Sequence, residues 1–242
     1  MSSSTRHEVA EVKESMPIGS QRKISLVMAI ANSMLKEMNI KEKLNEQIEW
    51  DKSHWGISPG GLLQALILST FTDMRIPLTH LEDRLYGIDI SHLIGEDADV
   101  RAINSFNVGR ALERLGKADY NGVYEQAALT AYQLYNIPVT RLHSDTTTIS
   151  FYGEYDVSSI RLTPEEKQEL LKIEKGYNKD GRPESKQALS GQITNEHGVP
   201  IVSRTLDGAA SDIEWNRQAL DYLAGLSERV LRKEYMSRTA SW

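Results

Sequence analysis

Apolar positions change period near residue 137, and the change divides the chain. Before it, they recur at three- and four-residue steps. Ile24, Val27, Met28, Ala31, Met34, Leu35 and Met38 form one stripe of a predicted helix. Ser58 and Pro59 suit the cap and first turn of a second helix, with Leu62, Leu63, Leu66 and Ile67 inward. Pro77 opens a short helix that stops at Gly87, and a looser stretch runs from Ile88 to Ala102. Asn104 or Ser105 caps a helix burying Val108, Leu112 and Leu115. Asn121 caps another burying Val123, Ala127, Ala131 and Leu134. Residues 19–136 therefore read as a helical domain, and the polar residues 1–18 as a disordered N-terminus.

From Ile137 and Pro138 onward the pattern is that of strands. Val139 to Phe151 is a β-branched run. Thr163 and Glu166 make a capping box for a short helix ending near Gly176. Gln187 to Thr194 and Val199 to Leu206 read as strands joined by a turn at Asn195-Glu196-His197-Gly198. Asp207-Gly208 breaks the last strand. Asp212 caps a helix from Ile213 to Arg232, with Trp215, Ala219, Leu220, Leu223, Leu226 and Val230 inward. The fold class is α+β: a helical domain, then three antiparallel strands with one helix packed on them.

Composition narrows the function classes. The 242 residues are 40% hydrophobic and 26% charged, with formal net charge -6. Acidity weighs against a simple nucleic-acid binder, although a local basic face suffices for one. The absence of cysteine excludes disulfides and thiolate zinc sites and fits a cytoplasmic location. The N-terminus has no apolar signal core. The longest apolar run, Leu62 to Phe71, is too short and too interrupted to span a membrane.

The strongest chemical signal is Asp145, a carboxylate in the middle of a predicted strand, among hydroxyls. Asp is a poor strand former, and a carboxylate held on rigid backbone is what a divalent-cation site requires. His143 shares its strand face by alternation and reads as a ligand, a phosphate contact or a hydrogen-bonded histidine. Lys175, Lys179, Arg182 and Lys186 form a basic cluster on a loop containing Gly181 and Pro183. It reads either as a DNA phosphate contact or, with Glu174, Asp180 and Glu184 interleaved, as a solvated loop. Arg110, Arg114 and Lys117 read as a solvated helix face. Ser58 to Tyr86 reads as a DNA-reading helix-turn-helix, a structural helix pair or a dimerisation surface.

Three segments carry a family resemblance. The first is His143-Ser144-Asp145-Thr146-Thr147 with Tyr152-Gly153-Glu154-Tyr155. The second is the loop Gly176-Tyr177-Asn178-Lys179-Asp180-Gly181-Arg182-Pro183-Glu184-Ser185-Lys186-Gln187. The third is Gly198-Val199-Pro200-Ile201 with Gly208-Ala209-Ala210-Ser211-Asp212. Together they resemble the DDE transposases of prokaryotic insertion sequences, the cut-and-paste type. The resemblance implies an RNase H-like domain in which two Asp and one Glu hold two Mg²⁺ or Mn²⁺ ions for attack on DNA phosphodiesters. Asp145 matches the first Asp as catalytic residue and metal ligand. Lys179, Arg182 and Lys186 fall where DNA is contacted. The second Asp belongs on a strand after the crossover helix, and Lys233 to Trp242 contain no Asp.

The expectation is a truncated RNase H-like domain over 137–242, with an open sheet edge and an uncovered apolar face. Such a chain does not cleave DNA alone, because one carboxylate does not hold two cations. Its partners are DNA (element ends and target) and a second copy or a full-length transposase. An alternative is a DNA-binding or dimer-forming inhibitor of the full-length enzyme. A third reading is an unrelated α+β binding module.

Overall fold

Helices begin where side chains can satisfy their free amides, and the central helix of the N-terminal part shows this. The computed structural model describes residues 25–72, 77–96, 99–155, 163, 170–177, 181–182 and 184–239. Among the described residues the α-helices are α1 (Leu26–Glu37), α2 (Ile40–Gln47), α3 (Pro59–Ser69), α4 (Leu81–Leu85), α5 (Ile90–Ile94), α6 (Ser105–Lys117), α7 (Tyr120–Leu134) and α8 (Asp212–Thr239). The strands are β1 (Leu142–Phe151), β2 (Lys186–Asn195) and β3 (Pro200–Leu206). The α+β class is as the sequence predicts. The chain divides into two compact units between Val123 and Tyr124, within α7.

In the first unit α3 is buried along most of its length. Ser58 caps it through Gly61 N at 3.0 Å, with Pro59 in the first turn. The cap is itself held from two other elements. Glu96 accepts from Ser58 N at 2.8 Å and from Ser58 Oγ at 2.5 Å, while Asn45 accepts from Gly60 N at 2.7 Å. Lys41 stands 3.6 Å from Glu96 and donates to Ile94 O. The two glycines are required by this closeness: a Cβ on Gly60 would lie 2.3 Å from Lys41 O, and one on Gly61 2.7 Å from the Glu96 carboxylate. The free amides at the start of α3 are thus satisfied by the side chains of Ser58 and Asn45, with Glu96 holding Ser58 in place.

Helix α1 turns a different face inward from the one its stripe predicts. Met28 and Asn32 are buried, whereas Val27 and Met34 are 58% and 40% exposed. The reason is polar. Gln64 Nε2 on α3 donates to Asn32 Oδ1 at 2.7 Å, and that buried amide pair sets the rotation of α1. Ile24 lies outside the described residues. A similar correction applies to α7. Its cap is Asp119, whose carboxylate accepts from Gly122 N at 2.9 Å, rather than Asn121. The carboxylate lies so close that a Cβ on Gly122 would stand 2.2 Å from it. Leu134 on α7 and Leu112 on α6 are exposed instead of buried.

In the second unit the strands form one antiparallel sheet in the order β1-β2-β3. Helix α8 covers one face. Its Trp215, 1% exposed, lies over Gly191 at the centre of β2, where a Cβ would come within 2.4 Å of the indole. Ile193, Ile201, Val202 and Ala219 complete the core, with Tyr132, Leu206, Tyr222 and Leu223 at its margin. Leu220, expected inside, is 68% exposed, and Tyr222 takes its place against the sheet. The side chains of Leu226 and Val230 lie outside the description. The short helix expected from Thr163 to near Gly176 is not formed over its described part, residues 170–176, where Glu174 instead bridges Gln187; residues 164–169 lie outside the described residues. A Glu125–Arg204 ion pair links α7 to β3, and Tyr132 Oη donates to Val199 O at 2.7 Å.

The expected uncovered apolar face is not what surrounds Asp145. Directly paired residues share a face, so His143, Asp145 and Thr147 lie with Thr194, Gln192 and Ser190, and these with Ser203 and Thr205. That patch is polar and tolerates water, because only α8's side of the sheet holds the apolar core. Further along the same face the sheet turns apolar, with Ile149 (44% exposed), Phe151 and the buried Ala188.

Two substitutions test these closures. Glu96→Ala strips acceptors from the buried Ser58 amide and hydroxyl and should cost about 2–3 kcal/mol, read as a lower urea midpoint at unchanged m. Gly191→Ala forces a methyl into the Trp215 indole and should cost about 1–3 kcal/mol. A thermal midpoint within 1 °C of the parent, on the order of experimental error, would show that the indole is not seated there.

Candidate functional site

Strand β1 carries Asp145 on a framework that fixes which way it faces. Ser144 Oγ accepts from Trp215 Nε1 at 2.9 Å, and Thr146 Oγ1 donates to Asp212 Oδ1 at 2.6 Å. Both neighbours of Asp145 therefore point toward α8, and alternation turns Asp145 to the opposite, open face. The residue is exposed. One carboxylate oxygen accepts from Thr146 N at 2.8 Å.

The start of β1 is held from the β2–β3 turn. Glu196 accepts from Thr140 Oγ1 at 2.7 Å, from Thr140 N and from Arg141 N. The Thr140 hydroxyl and these amides pull the Glu196 carboxyl down to about 2. Asn195, fully buried, accepts from His197 N and Val199 N and donates to Pro138 O. Gly198 takes φ +75° to complete the turn.

The three marker segments meet at the far end of the sheet. Glu174 and Gln187 form an isolated antiparallel bridge, and Gly208 N donates to Lys172 O at 2.9 Å. The buried Gln187 side chain donates to Gly208 O at 2.8 Å and to Tyr177 O at 3.2 Å. A Cβ on Gly176 would lie 2.0 Å from Gly208 O, and one on Gly208 2.1 Å from Gln187 O. Gly176, Gln187 and Gly208 are therefore a structural clasp. Their residue types are set by backbone packing.

The basic residues flank this clasp. Lys175 pairs with Glu184 at 2.6 Å, Arg182 donates to the Tyr152 hydroxyl at 2.5 Å, and Lys186 donates to Glu154 O. The pairing with Lys175 holds the Glu184 carboxyl below its usual range. Lys179 lies outside the described residues. Asp212 sits in the first turn of α8, bonded to Thr146.

In the first unit, the segment read as a helix-turn-helix has little to offer a DNA groove. Its second helix, α4, spans five residues and buries Leu81 and Leu85. Arg84 is directed to Ser69 Oγ at 3.3 Å, and His80 faces Asp83 at 3.3 Å. These contacts describe a structural helix pair.

The fit of the donor set to a cation pair follows directly. Mg²⁺ needs oxygen ligands in near-octahedral geometry, and two ions need several bridging or flanking carboxylates. The open face offers the Asp145 carboxylate with Thr147, Gln192 and His143 as neighbours. Among the described residues no three His, Cys, Asp or Glu side chains are grouped to hold a metal ion. Asp145 can serve as one ligand, and the residues beside it do not complete a two-cation centre.

Residues 21–129 match a family model described as a domain of unknown function (DUF4277). The match covers the helical residues and stops short of Asp145 and the sheet. No curated protein matches the chain, and no solved structure does. Among the described residues, no helix is long and apolar enough to cross a membrane.

If Asp145 is held for chemistry rather than for the fold, its removal should leave stability alone. Asp145→Asn should change the unfolding free energy by less than about 0.5 kcal/mol. Thr146→Val, one residue away but buried and bonded to Asp212, should cost about 1 kcal/mol. Equal losses from the two, in parallel urea titrations, would make Asp145 a structural residue.

Proposed function

We propose that this chain is a transposase-type protein of an insertion sequence, with β1 as the Asp-bearing first strand of an RNase H-like domain. One observation carries the reading: Asp145 stands at mid-strand on the open face of a β1-β2-β3 antiparallel sheet, while the following helix covers the other face. An exposed aspartate inside a strand is costly to β pairing and has no ion pair among the described residues to explain it.

Its ligand is DNA, at element ends and target. Asp145 contributes one ligand to Mg²⁺ or Mn²⁺, and Arg182 and Lys186 contact DNA phosphates, a role the family resemblance extends to Lys179. Cleavage requires further carboxylates on the same face. Acting alone the chain binds DNA without cutting it, and so competes with a complete transposase or joins it through a second copy. The lack of cysteine suits a cytoplasmic site of action.

The test uses duplexes bearing the ends of the element that encodes the chain, beside a scrambled duplex. Selective retardation of the end duplex is expected, with no nicking when Mg²⁺ or Mn²⁺ is supplied. Metal-dependent nicking that disappears in Asp145→Asn would overturn the assignment of inactivity. Equal affinity for scrambled DNA would remove the transposase reading.

A further inference from the structure

Two arginines on α6 are held by aromatic rings instead of by carboxylates. Phe106, Arg110 and Arg114 are spaced four residues apart and share one face of the helix. The Arg110 guanidinium lies 4.8 Å from the Trp55 ring centroid and 5.8 Å from that of Phe106, and Arg114 lies 5.7 Å from Trp55. Arg114 also donates to Glu49 O. Other cations nearby are neutralised: Lys117 by Glu113 at 3.1 Å, and Arg101 by Asp99 at 2.9 Å. Among the described residues neither Arg110 nor Arg114 has an ion pair, and Arg110 has no hydrogen-bond acceptor.

A guanidinium stacked on a ring loses little freedom and keeps its N–H edge pointing outward, ready for a bidentate anion. The two arginines line an open groove with Glu49, Trp50, His54 and Trp55. Asp51 borders it, but its carboxylate is committed to the Ser53 amide and hydroxyl and to His54 at 3.2 Å. Phe106, at the end of the row, is 71% exposed. A ring so exposed beside two directed cations suits a ligand that alternates planar bases with anionic phosphates. An acidic peptide would use the cations and leave the ring idle.

We propose that the Trp55–Phe106–Arg110–Arg114 face binds single-stranded DNA, with a base stacked on Phe106 and the adjoining phosphates on Arg110 and Arg114. The choice of nucleic acid rests on the transposase reading. The site belongs to the first unit, whereas Asp145 and the basic loop belong to the second.

The experiment is fluorescence anisotropy of labelled oligothymidylate titrated with the full chain at several salt concentrations. The double variant Arg110→Gln, Arg114→Gln should bind about ten-fold more weakly or worse. Its log–log salt slope should be shallower by about 1.4, the loss of two single-strand phosphate contacts. Phe106→Leu, at a ring too exposed to support the core, should weaken binding roughly five-fold or more. Lys117→Gln, already paired with Glu113, should change nothing.

Unchanged binding in the double variant overturns the proposal, as does tighter binding of poly-glutamate than of oligothymidylate. So does a preference for duplex DNA that ignores Phe106→Leu. The outcome is separable from that of the transposase reading. Arginine-dependent single-strand binding without end selectivity upholds this site and removes that reading, whereas end-selective binding untouched by the double variant does the reverse.

Discussion

The seating of Trp215 over Gly191 decides the geometry of the C-terminal unit. The indole fills the space that any Cβ on Gly191 would take, and its Nε1–H is directed to Ser144 on the neighbouring strand. A one-residue slip of β1 against β2 would turn every side chain of β1 to the other face. It would break both the Ser144 and Thr146 contacts with α8, and it would bury Asp145 beneath the helix. Burying a carboxylate without a partner is among the most expensive errors a sheet can make. Register, helix docking and the exposure of Asp145 are therefore one constraint seen from three sides.

The helical unit relies on polar closure as much as on apolar burial. The stripe on α1 is legible in the sequence, yet the face that turns inward is set by an Asn32–Gln64 amide pair that no periodicity reveals. The cap of α3 is legible at Ser58 and Pro59. Its second layer, from Glu96 and Asn45, is not, because those residues lie 38 and 13 positions away in the chain. Non-local polar contacts of this kind leave no periodic trace. They carry much of the specificity of a small helical core, since a half-satisfied network is worse than none.

The strands and their turn were readable to within a few residues, because alternation, Asn195 and Gly198 are local signals, whereas the last helix continues past the expected Arg232 to Thr239. The side of α8 that packs was readable only in part. Trp215 and Ala219 lie at the predicted spacing, but Tyr222 displaces Leu220, as Arg204 beneath it offers its guanidinium to the Tyr222 ring at 5.5 Å. Asp145 was identifiable as an anomaly. The role of Gly176, Gln187 and Gly208 was not, because a motif in sequence does not say whether its residues touch a ligand or each other. Here they touch each other. Likewise Arg110 and Arg114 look like a solvated face until Trp55, more than fifty positions earlier in the chain, is placed beneath them.

The distinction between clasp and chemistry sharpens the case for Asp145. Residues whose type the backbone dictates sit in contact with backbone, as Gly176 and Gly208 do. Asp145 has one such contact, to the amide of the next residue, which a serine or asparagine at that position could also make. Its charge satisfies nothing within the described fold. A strand that places an exposed anion at its centre gains neither stability nor pairing from it.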